Sequence, residues 1–420
     1  MTLNRRAFIG AGLATSALLA APTVWAQAKP RVVVIGGGAG GATAARYLAK
    51  DSKGALDVTL VEANPIYTTC FFSNLYLGGF RAFESLQHGY DGIAAGGVTV
   101  INAMATGVDR AARTVTLAGG EVLAYDRLVL SPGIDFKDGS VPGWSADAAE
   151  IMPHAYKAGP QTQLLKAQIA AMPQGGTFAM IAPPNPYRCP PGPYERISMV
   201  AHVLKTSNPT AKILLIDPKD KYSKQALFEE GWERHYPGMI ERVGPEFGGD
   251  KVEVRPATME IVVDGTVQKV DVCNVIPGQM AGKIAGIAGV TDDKGWAPVH
   301  ADSMKSKMDA NVFILGDASA QGDMPKSGYS ANSQAKVAVM AIRGELTGSK
   351  VFPAKYSNTC WSLIAPDDGV KVGAAYEPTP EKIASTSNFI SKPGEDAALR
   401  KQTYEESIGW YAGITSDMFG

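Results

Sequence analysis

The sequence is poor in charge and almost neutral overall. Only 19% of its 420 residues are charged, and the formal net charge is −1. An average soluble protein carries about 25% charged residues. The chain therefore offers no basic surface for a nucleic acid or an anionic membrane, and we expect neither partner. Its 45% hydrophobic content is enough for the cores of several domains.

Cysteine is also scarce, and its spacing excludes several kinds of site. The four cysteines, Cys70, Cys189, Cys273 and Cys360, lie far apart. Without a C-x-x-C pair, a thioredoxin-type motif and a zinc ribbon are both disfavoured, and we predict no metal site. Without C-x-x-C-H, the chain holds no c-type haem of its own. Spacing alone does not choose among the three complete pairings of four cysteines, and Cys273, in an apolar run, is predicted to be a core thiol.

Residues 31–41, RVVVIGGGAGG, are the strongest motif in the chain. A β-branched run leads into Gly36, Gly38 and Gly41, and a helical pattern follows. This order of strand, glycine turn and helix is typical of a dinucleotide pyrophosphate site, because glycine permits close approach and the helix start offers free N–H groups. A second apolar strand ends on Glu62, where the ribose-binding acid of such a site is expected.

Two later segments extend this prediction to FAD. An apolar strand pattern within 125–133 ends on a small residue and Gly133, and another at 311–315 leads to Gly316 and Asp317. In two-dinucleotide-domain flavoproteins an aspartate at this point accepts a hydrogen bond from the ribityl chain. A helix over 327–342 is predicted to direct its N-terminus at the flavin. We therefore predict FAD as the cofactor.

A second βαβ pattern runs from about 143 to 277 but lacks a glycine fingerprint. Its first strand is followed by PPNPYRCPPGP at 183–193. Proline has no N–H, so this loop is unable to cradle a phosphate. Asp217, at the end of a later strand, is then a strand-end residue rather than a ribose ligand. We expect no use of NAD(P)H.

The N-terminus carries a targeting pattern. Residues 4–10, NRRAFIG, are a twin-arginine motif, and an apolar stretch with small-residue cleavage sites follows. The stretch is shorter than the roughly 20 residues of a membrane-spanning helix, so we expect cleavage and no stable membrane insertion. The predicted location is the periplasm, reached by the twin-arginine route.

The contexts of three cysteines carry a family resemblance. The segments TTCFFSN at 68–74, the proline loop around Cys189 and NTCW at 358–361 resemble the flavoprotein subunit of flavocytochrome c sulfide dehydrogenase. The resemblance implies that Cys70 carries FAD through a thioether to the flavin 8α-methyl. It also implies a redox-active disulfide between Cys189 and Cys360, with Glu195 at the active site.

The implied activity is oxidation of sulfide to sulfur or polysulfide. HS⁻ attacks the disulfide by thiol–disulfide exchange, and the electrons reach FAD and then a c-type cytochrome subunit in a heterodimer. The C-terminal aromatic residues Tyr404, Trp410, Tyr411 and Phe419 are interpreted as a contact surface for that cytochrome.

The predicted fold class is α/β: two Rossmann-like dinucleotide-binding domains of the FAD-dependent disulfide-oxidoreductase type, plus a small α+β C-terminal interface domain. The predicted ranges are 1–28 for the signal peptide, 29–142 with 278–350 for the FAD domain, 143–277 for the second domain and 351–420 for the interface domain. Three alternatives remain at this point: a sulfide:quinone oxidoreductase, a non-catalytic electron-transfer flavoprotein and an NADH-dependent disulfide reductase. The polar segment 395–407 disfavours membrane docking by the first.

Overall fold

The computed structural model describes residues 28–420. The predicted twin-arginine signal lies outside the described residues, apart from its last residue. In the described part, the strands are β1 (Arg31–Ile35), β2 (Asp57–Glu62), β3 (Tyr67–Thr68), β4 (Gln87–His88), β5 (Thr99–Asn102), β6 (Ala105–Asp109), β7 (Thr114–Leu117), β8 (Val122–Ala124), β9 (Arg127–Leu130), β10 (Ile134–Phe136), β11 (Thr177–Ile181), β12 (Lys212–Ile216), β13 (Ile240–Val243), β14 (Val252–Arg255), β15 (Glu260–Val263), β16 (Thr266–Lys269), β17 (Val272–Val275), β18 (Gln279–Ala281), β19 (Ala297–Pro298), β20 (Val312–Ile314), β21 (Ser319–Ala320), β22 (Tyr356–Ala365), β23 (Asp368–Pro378) and β24 (Ile383–Ile390).

The helices in the same part of the chain are α1 (Ala39–Ser52), α2 (Ser73–Leu77), α3 (Asp91–Ala95), α4 (Pro160–Ala171), α5 (Gly192–Ser207), α6 (Gln225–His235), α7 (Lys283–Ile287), α8 (Gly328–Thr347) and α9 (Ala397–Phe419). Short 3₁₀ turns lie at Phe83–Leu86, Asp147–Glu150, Pro245–Phe247, Pro256–Thr258 and Gly316–Ala318.

A parallel five-stranded sheet organises the first lobe. Its strand order is β20-β9-β1-β2-β5. The β-branched residues of β1 are buried. Helix α1 packs on β1 and β2, α8 packs on α1, and β8 of the β6-β7-β8 sheet also contacts β1. The chain leaves this lobe after β10 and returns to it with β20, so Gly133 and Gly316 come from distant parts of the sequence to one sheet edge.

The second lobe contains a parallel four-stranded sheet of order β13-β12-β11-β17. Cys273 lies in β17 and is fully buried, so the predicted core thiol is confirmed. Both sheets fall within the predicted lobes, and the exact domain boundaries stay predictions.

The C-terminal region combines the antiparallel sheet β22-β23-β24 with helix α9, which packs on β23 and returns to the first lobe. The Asp396 side chain caps α9 by accepting from the Leu399 N–H at 2.9 Å. Near its other end, Arg46 of α1 donates to the carbonyl of Asp417 at 2.8 Å. Helix α9 therefore connects the C-terminal region to the first lobe.

The interpretation of the C-terminal aromatic residues as a partner surface is wrong for two of them. Tyr411 and Phe419 are buried, at 4% and 7% exposure. Phe419 stacks on His88 and Tyr411 packs against Phe72, with ring centroids 5.0 Å and 4.6 Å apart. They face inward because α9 lies over β3, β4 and α2, a tertiary contact that the local pattern does not encode. Within residues 28–420 no helix is long and apolar enough to cross a membrane.

Candidate active site

A large cavity of about 920 Å³ opens at the edge of the first sheet. Its walls are formed by the turn after β1, the end of β2, the turn after β9 and the segment after β20. Seven of the eight residues predicted to bind the cofactor line it: Gly36, Gly38, Glu62, Cys70, Gly133, Gly316 and Asp317. The structure thus brings together, at one cavity, segments that lie up to 281 residues apart in the chain (317 − 36).

The eighth predicted residue, Gly41, lies behind the cavity wall. A Cβ atom on Gly41 would approach the carbonyl oxygen of Gly36 to 1.8 Å. Gly36 itself has φ +98°, and a Cβ there would meet the carbonyl oxygen of Ser131 at 2.3 Å. Gly41 therefore permits close packing of α1 on the turn, and Gly36 permits the turn itself.

Glu62 is held at the end of β2 by backbone donors. Its Oε2 accepts from the Gly37 N–H at 2.7 Å and its Oε1 from the Asn64 N–H at 2.9 Å. These bonds fix the carboxylate at the cavity wall, beside the glycine turn.

Asp317 provides the test of whether this cavity fits FAD. Its Oδ1 is buried and has no hydrogen-bond partner among the described residues. Its Oδ2 lies 3.8 Å from Nη1 of Arg188, which also lines the cavity. A buried carboxylate oxygen without a donor needs one, and a sugar hydroxyl supplies it. Together with the glycine turn and the start of α8, this donor set fits FAD.

A second, small cavity of about 80 Å³ adjoins the large one. Cys189, Glu195 and Cys360, the three residues predicted to be catalytic, all line it. The two cavities share five wall residues: Cys70, Phe71, Arg188, Ser327 and Gly328. The small cavity has room for a few water-sized molecules and no more.

Cys189 is fixed by contacts from three segments. It precedes α5 and adopts φ +56°, which is strained for a residue with a side chain. Its N–H donates to the carbonyl of Lys326 at 2.7 Å, and its carbonyl accepts from the Gly192 N–H at 2.8 Å. The Tyr156 hydroxyl donates to the carbonyl of Arg188 at 2.8 Å. These contacts hold the loop against the first lobe.

Cys360 lies in the middle of β22 and is buried. Cys189 and Cys360 carry free sulfurs in the structure. Burial raises the pKa of both thiols, and the negative charges of their neighbours raise that of Cys189 further. The pair is therefore protonated when reduced unless a nearby cation or donor favours the thiolate.

Glu195, in the first turn of α5, is nearly fully buried and completely hydrogen-bonded. Its Oε2 accepts from Asn74 Nδ2 at 2.8 Å, and its Oε1 accepts from the Leu363 N–H at 3.0 Å. Arg196 Nε donates to Asn74 Oδ1 at 3.0 Å and so fixes the amide. Burial raises the pKa of Glu195, while the Asn74 and Leu363 donors oppose that rise. A carboxyl poised in this way is suited to proton transfer.

Four residues at the site were missed by the sequence analysis. Arg188 lines both cavities, Asn74 orients Glu195, Tyr156 braces the Cys189 loop and Lys224 is buried behind Cys360. Arg188 and Asn74 lie within the quoted segments 183–193 and 68–74, so their positions gave a signal, but no role was assigned to them. Tyr156 and Lys224 lie in segments without a motif, and only the tertiary fold brings them to the site.

Asp217 directly follows β12, at the strand-end position where a dinucleotide-binding domain carries its ribose-binding acid. It is fully buried and accepts from the Tyr194 hydroxyl at 2.9 Å. Lys219 and Arg242 pair with its two oxygens at 2.7 Å and 3.3 Å. Its hydrogen-bonding capacity is thus used inside the protein, in agreement with its interpretation as a strand-end residue.

Three family models match the chain. The model described as "Sulfide dehydrogenase [flavocytochrome c] flavoprotein chain, central" matches residues 162–277. "Flavocytochrome c sulphide dehydrogenase, flavin-binding" matches 353–419, and "Pyridine nucleotide-disulphide oxidoreductase" matches 30–168. The predicted FAD cofactor is supported by these matches.

A curated relative decides the family. The sulfide dehydrogenase [flavocytochrome c] flavoprotein chain of Chlorobaculum thiosulfatiphilum is 54% identical over 44 residues, which are 10% of this chain and 90% of that sequence. The chain belongs to the flavocytochrome c sulfide dehydrogenase flavoprotein family. The family predicted from the cysteine contexts is confirmed.

Solved structures confirm the fold class. The sulfide:quinone oxidoreductase of Aquifex aeolicus aligns with a TM-score of 0.69 at 19% identity, over 92% of each chain. The reductase in a covalent putidaredoxin reductase–putidaredoxin complex aligns with a TM-score of 0.64 at 16% identity, over 90% of this chain and 93% of that chain. At such identities the likeness concerns the fold, which is that of the FAD-dependent disulfide oxidoreductases.

Proposed function

We propose that this chain is a periplasmic sulfide dehydrogenase flavoprotein, which oxidises sulfide through a disulfide between Cys189 and Cys360 and delivers the electrons to a c-type cytochrome subunit. The observation that carries the proposal is the shared wall between two cavities. The small one holds both cysteines and Glu195, and the large one fits FAD. Family membership supports the choice of substrate and partner.

The first chemical step is thiol–disulfide exchange. HS⁻ attacks one sulfur of the pair, a new S–S bond forms to that cysteine, and the bond between Cys189 and Cys360 breaks. One cysteine then carries a persulfide and the other holds the electron pair as a thiolate. A small cavity suits this chemistry, because HS⁻ enters where a bulky thiol does not. Glu195 takes up or returns the proton of the bound sulfur.

The large cavity's residues serve the cofactor. Glu62 would bind the ribose, Asp317 would accept a hydrogen bond from the ribityl chain, and Cys70, in the wall between the cavities, would form the thioether to the 8α-methyl. A second HS⁻ removes the outer sulfur of the persulfide as a polysulfide and leaves both cysteines as thiolates. FAD, when bound, would accept the electron pair that these thiolates release as the Cys189–Cys360 bond re-forms, and would supply it to the cytochrome. A covalent link at Cys70 keeps the cofactor on the protein after export.

We further propose that the chain does not use NAD(P)H. The β11–α5 loop carries prolines where a phosphate loop needs N–H donors. Asp217 is already paired with two cations. The twin-arginine motif supports export of the folded, FAD-loaded protein to the periplasm, where the disulfide persists.

The test is an anaerobic titration of the purified holoprotein with sulfide, monitored by the absorbance of oxidised flavin. We expect bleaching in the wild type and in Cys273→Ser, because Cys273 is a core thiol of β17 remote from both cavities. Cys189→Ser and Cys360→Ser lose bleaching. A wild type that stays oxidised contradicts the proposal at its first step.

Two further measurements test the cofactor link and the acceptor. After acid precipitation, flavin stays with the wild-type polypeptide and is released from Cys70→Ser; release from both rules out the thioether. Steady-state reduction of a c-type cytochrome by sulfide, compared with reduction of a soluble quinone, distinguishes the proposed acceptor from that of a sulfide:quinone oxidoreductase.

A further inference from the structure

The two cavity cysteines have unequal surroundings. Asn358 Nδ2 lies 3.4 Å from the sulfur of Cys360. The orientation of this amide is set by Ser327, whose hydroxyl donates to Asn358 Oδ1 at 2.6 Å, and by Ser330, whose hydroxyl donates to the same atom at 3.3 Å. The Cys360 thiol also lies 3.7 Å from Asn358 Oδ1, to which it donates when protonated. A thiolate loses that donor role, and the amide N–H₂ group is then the part of Asn358 that stabilises it.

Lys224 adds a positive charge on the same side. It immediately precedes α6, is 4% exposed, and donates from Nζ to the Cys360 carbonyl at 3.0 Å and the Ser362 hydroxyl at 2.8 Å. Among residues 28–420, no carboxylate lies within ion-pair distance of this ammonium. A buried cation with neutral partners is costly unless a nearby group takes negative charge. The ionisable groups that face it are Cys360, Glu195 and Cys189.

Cys189 also faces the cations Lys224 and Arg196, but within residues 28–420 it has no hydrogen-bond donor comparable to Asn358. No side-chain donor in the described residues bonds to its sulfur, which lies against the start of α5 near Gly192. That helix N-terminus favours an anion modestly, but Glu195 in the same first turn opposes it. The electrostatic balance therefore favours negative charge on Cys360.

We propose that Lys224 and Asn358 make Cys360 the leaving sulfur, so that HS⁻ attacks Cys189 and the persulfide forms on Cys189. The inference deepens the proposed function and rests on its disulfide. The step is HS⁻ + Cys189–S–S–Cys360 → Cys189–S–SH + Cys360–S⁻; the Cys189–Cys360 bond breaks, and its electron pair stays on Cys360. The more stabilised thiolate is the better leaving group.

The charge state of Lys224 agrees with this role. Burial lowers its pKa to about 8, and the facing groups Cys360, Glu195 and Cys189 oppose that shift. It is thus largely protonated at neutral pH. Burial raises the pKa of Cys360, while Asn358 and Lys224 lower it. Lys224 acts through Cys360 and is a positioning residue.

The first experiment locates the persulfide in the unmodified holoprotein. After one equivalent of sulfide under anaerobic conditions, the protein is quenched with iodoacetamide and digested with trypsin. The two cysteines fall in separate peptides, Cys189–Arg196 and Tyr356–Lys371. We expect the mass of one extra sulfur on the first peptide, whereas an extra sulfur on the second overturns the inference while leaving the proposed function intact.

The second experiment tests Lys224 without sulfide. Wild type, Lys224→Met and Lys224→Arg are reduced with a phosphine, and alkylation of each cysteine peptide is followed against pH. We expect Cys360 in Lys224→Met to react about tenfold more slowly at pH 7, equivalent to a rise of about one pKa unit, with recovery in Lys224→Arg. A Lys224→Met profile that superimposes on the wild type overturns the role of Lys224. If Lys224→Met does not fold, the inference is tested by the alkylation profile of Lys224→Arg and by the location of the persulfide in the wild type.

Discussion

The two Rossmann-like lobes share a strand–loop–helix arrangement but differ in the composition of the loop. In each, a buried strand leads through a loop into a helix at the carboxyl edge of a parallel sheet. The β1–α1 loop is glycine-rich and borders a cavity of about 920 Å³. The β11–α5 loop is proline-rich and carries Cys189 toward the first lobe. The two loops therefore differ in composition on a similar scaffold, and in the proposed function this difference separates phosphate binding from sulfur chemistry.

Side chains pack closely around Asp217 at the carboxyl edge of the second sheet. Tyr194 and Tyr222 stack with ring centroids 3.7 Å apart beside the Asp217 cluster. Lys219 donates to the carbonyl of Pro183 at 2.6 Å, so the cluster also braces the proline loop. The second lobe therefore supports the loop that carries Cys189, which is consistent with the proposal that it does not use NAD(P)H.

The largest effect on FAD binding and stability is expected from adding a side chain at Gly41, where α1 packs on the glycine turn of the first lobe. Gly41→Val places a Cβ 1.8 Å from the Gly36 carbonyl, and α1 has to move away from the sheet. We expect loss of FAD from the purified protein and of several kcal/mol of stability. Flavin-to-protein ratio and urea unfolding measure both. The control Gly413→Ala, in open space on α9, stays fully loaded; equal loading of Gly41→Val would contradict the packing role of Gly41.

A smaller effect is expected in the second lobe. Asp217→Asn leaves Lys219 and Arg242 without their buried counter-charge and is expected to lower the free energy of unfolding by about 3 kcal/mol, with FAD retained. Urea unfolding measures the loss. The matched control is Asp264→Asn, whose ion pair with Lys251 is exposed and worth less than about 1 kcal/mol. Equal losses in both variants would show that the Asp217 cluster does not support the lobe.

The smallest effect is expected on the pH dependence of the free energy of unfolding, through His154. His154 lies near the junction of the lobes, and burial, aided by Lys157, lowers its pKa from the ordinary 6.5 to about 3. Between these values the unfolded chain binds a proton that the folded protein does not, so stability falls as pH decreases from 6.5 toward 3. We expect His154→Asn to unfold with a shallower dependence on pH than the wild type in this window, and the exposed control His300→Asn to keep the wild-type slope. The same pH dependence of unfolding in the wild type, His154→Asn and His300→Asn would show that His154 does not contribute to the loss of stability in acid.

The sequence predicted the fold and site residues correctly where a local motif determines the backbone conformation. A β-branched run, a glycine spacing and a strand-end acid predict the first lobe, and Gly36, Glu62 and Asp317 indeed line one cavity. Cys189 and Cys360 came from the family resemblance, and the structure brings them to one cavity, while their redox roles stay predictions.

What the sequence did not predict depends on tertiary packing. Lys224 lies 136 residues from Cys360, and nothing in its neighbourhood marks it as a buried cation. Tyr411 was interpreted as part of a partner surface because aromatic residues are enriched in interfaces; its hydroxyl instead bonds to Thr69 at 3.0 Å. Such long-range contacts follow from how the lobes and the cap assemble, which local patterns do not specify.

The difference between the two lobes is tested most directly by offering the holoprotein two electron donors. Equal amounts of anaerobic wild-type protein are titrated with sulfide and with NADH, and the absorbance of oxidised flavin is followed. The account predicts bleaching by sulfide and none by NADH. Bleaching by NADH, or its absence with sulfide, would contradict the assignment of the proline loop to sulfur chemistry in place of nucleotide binding.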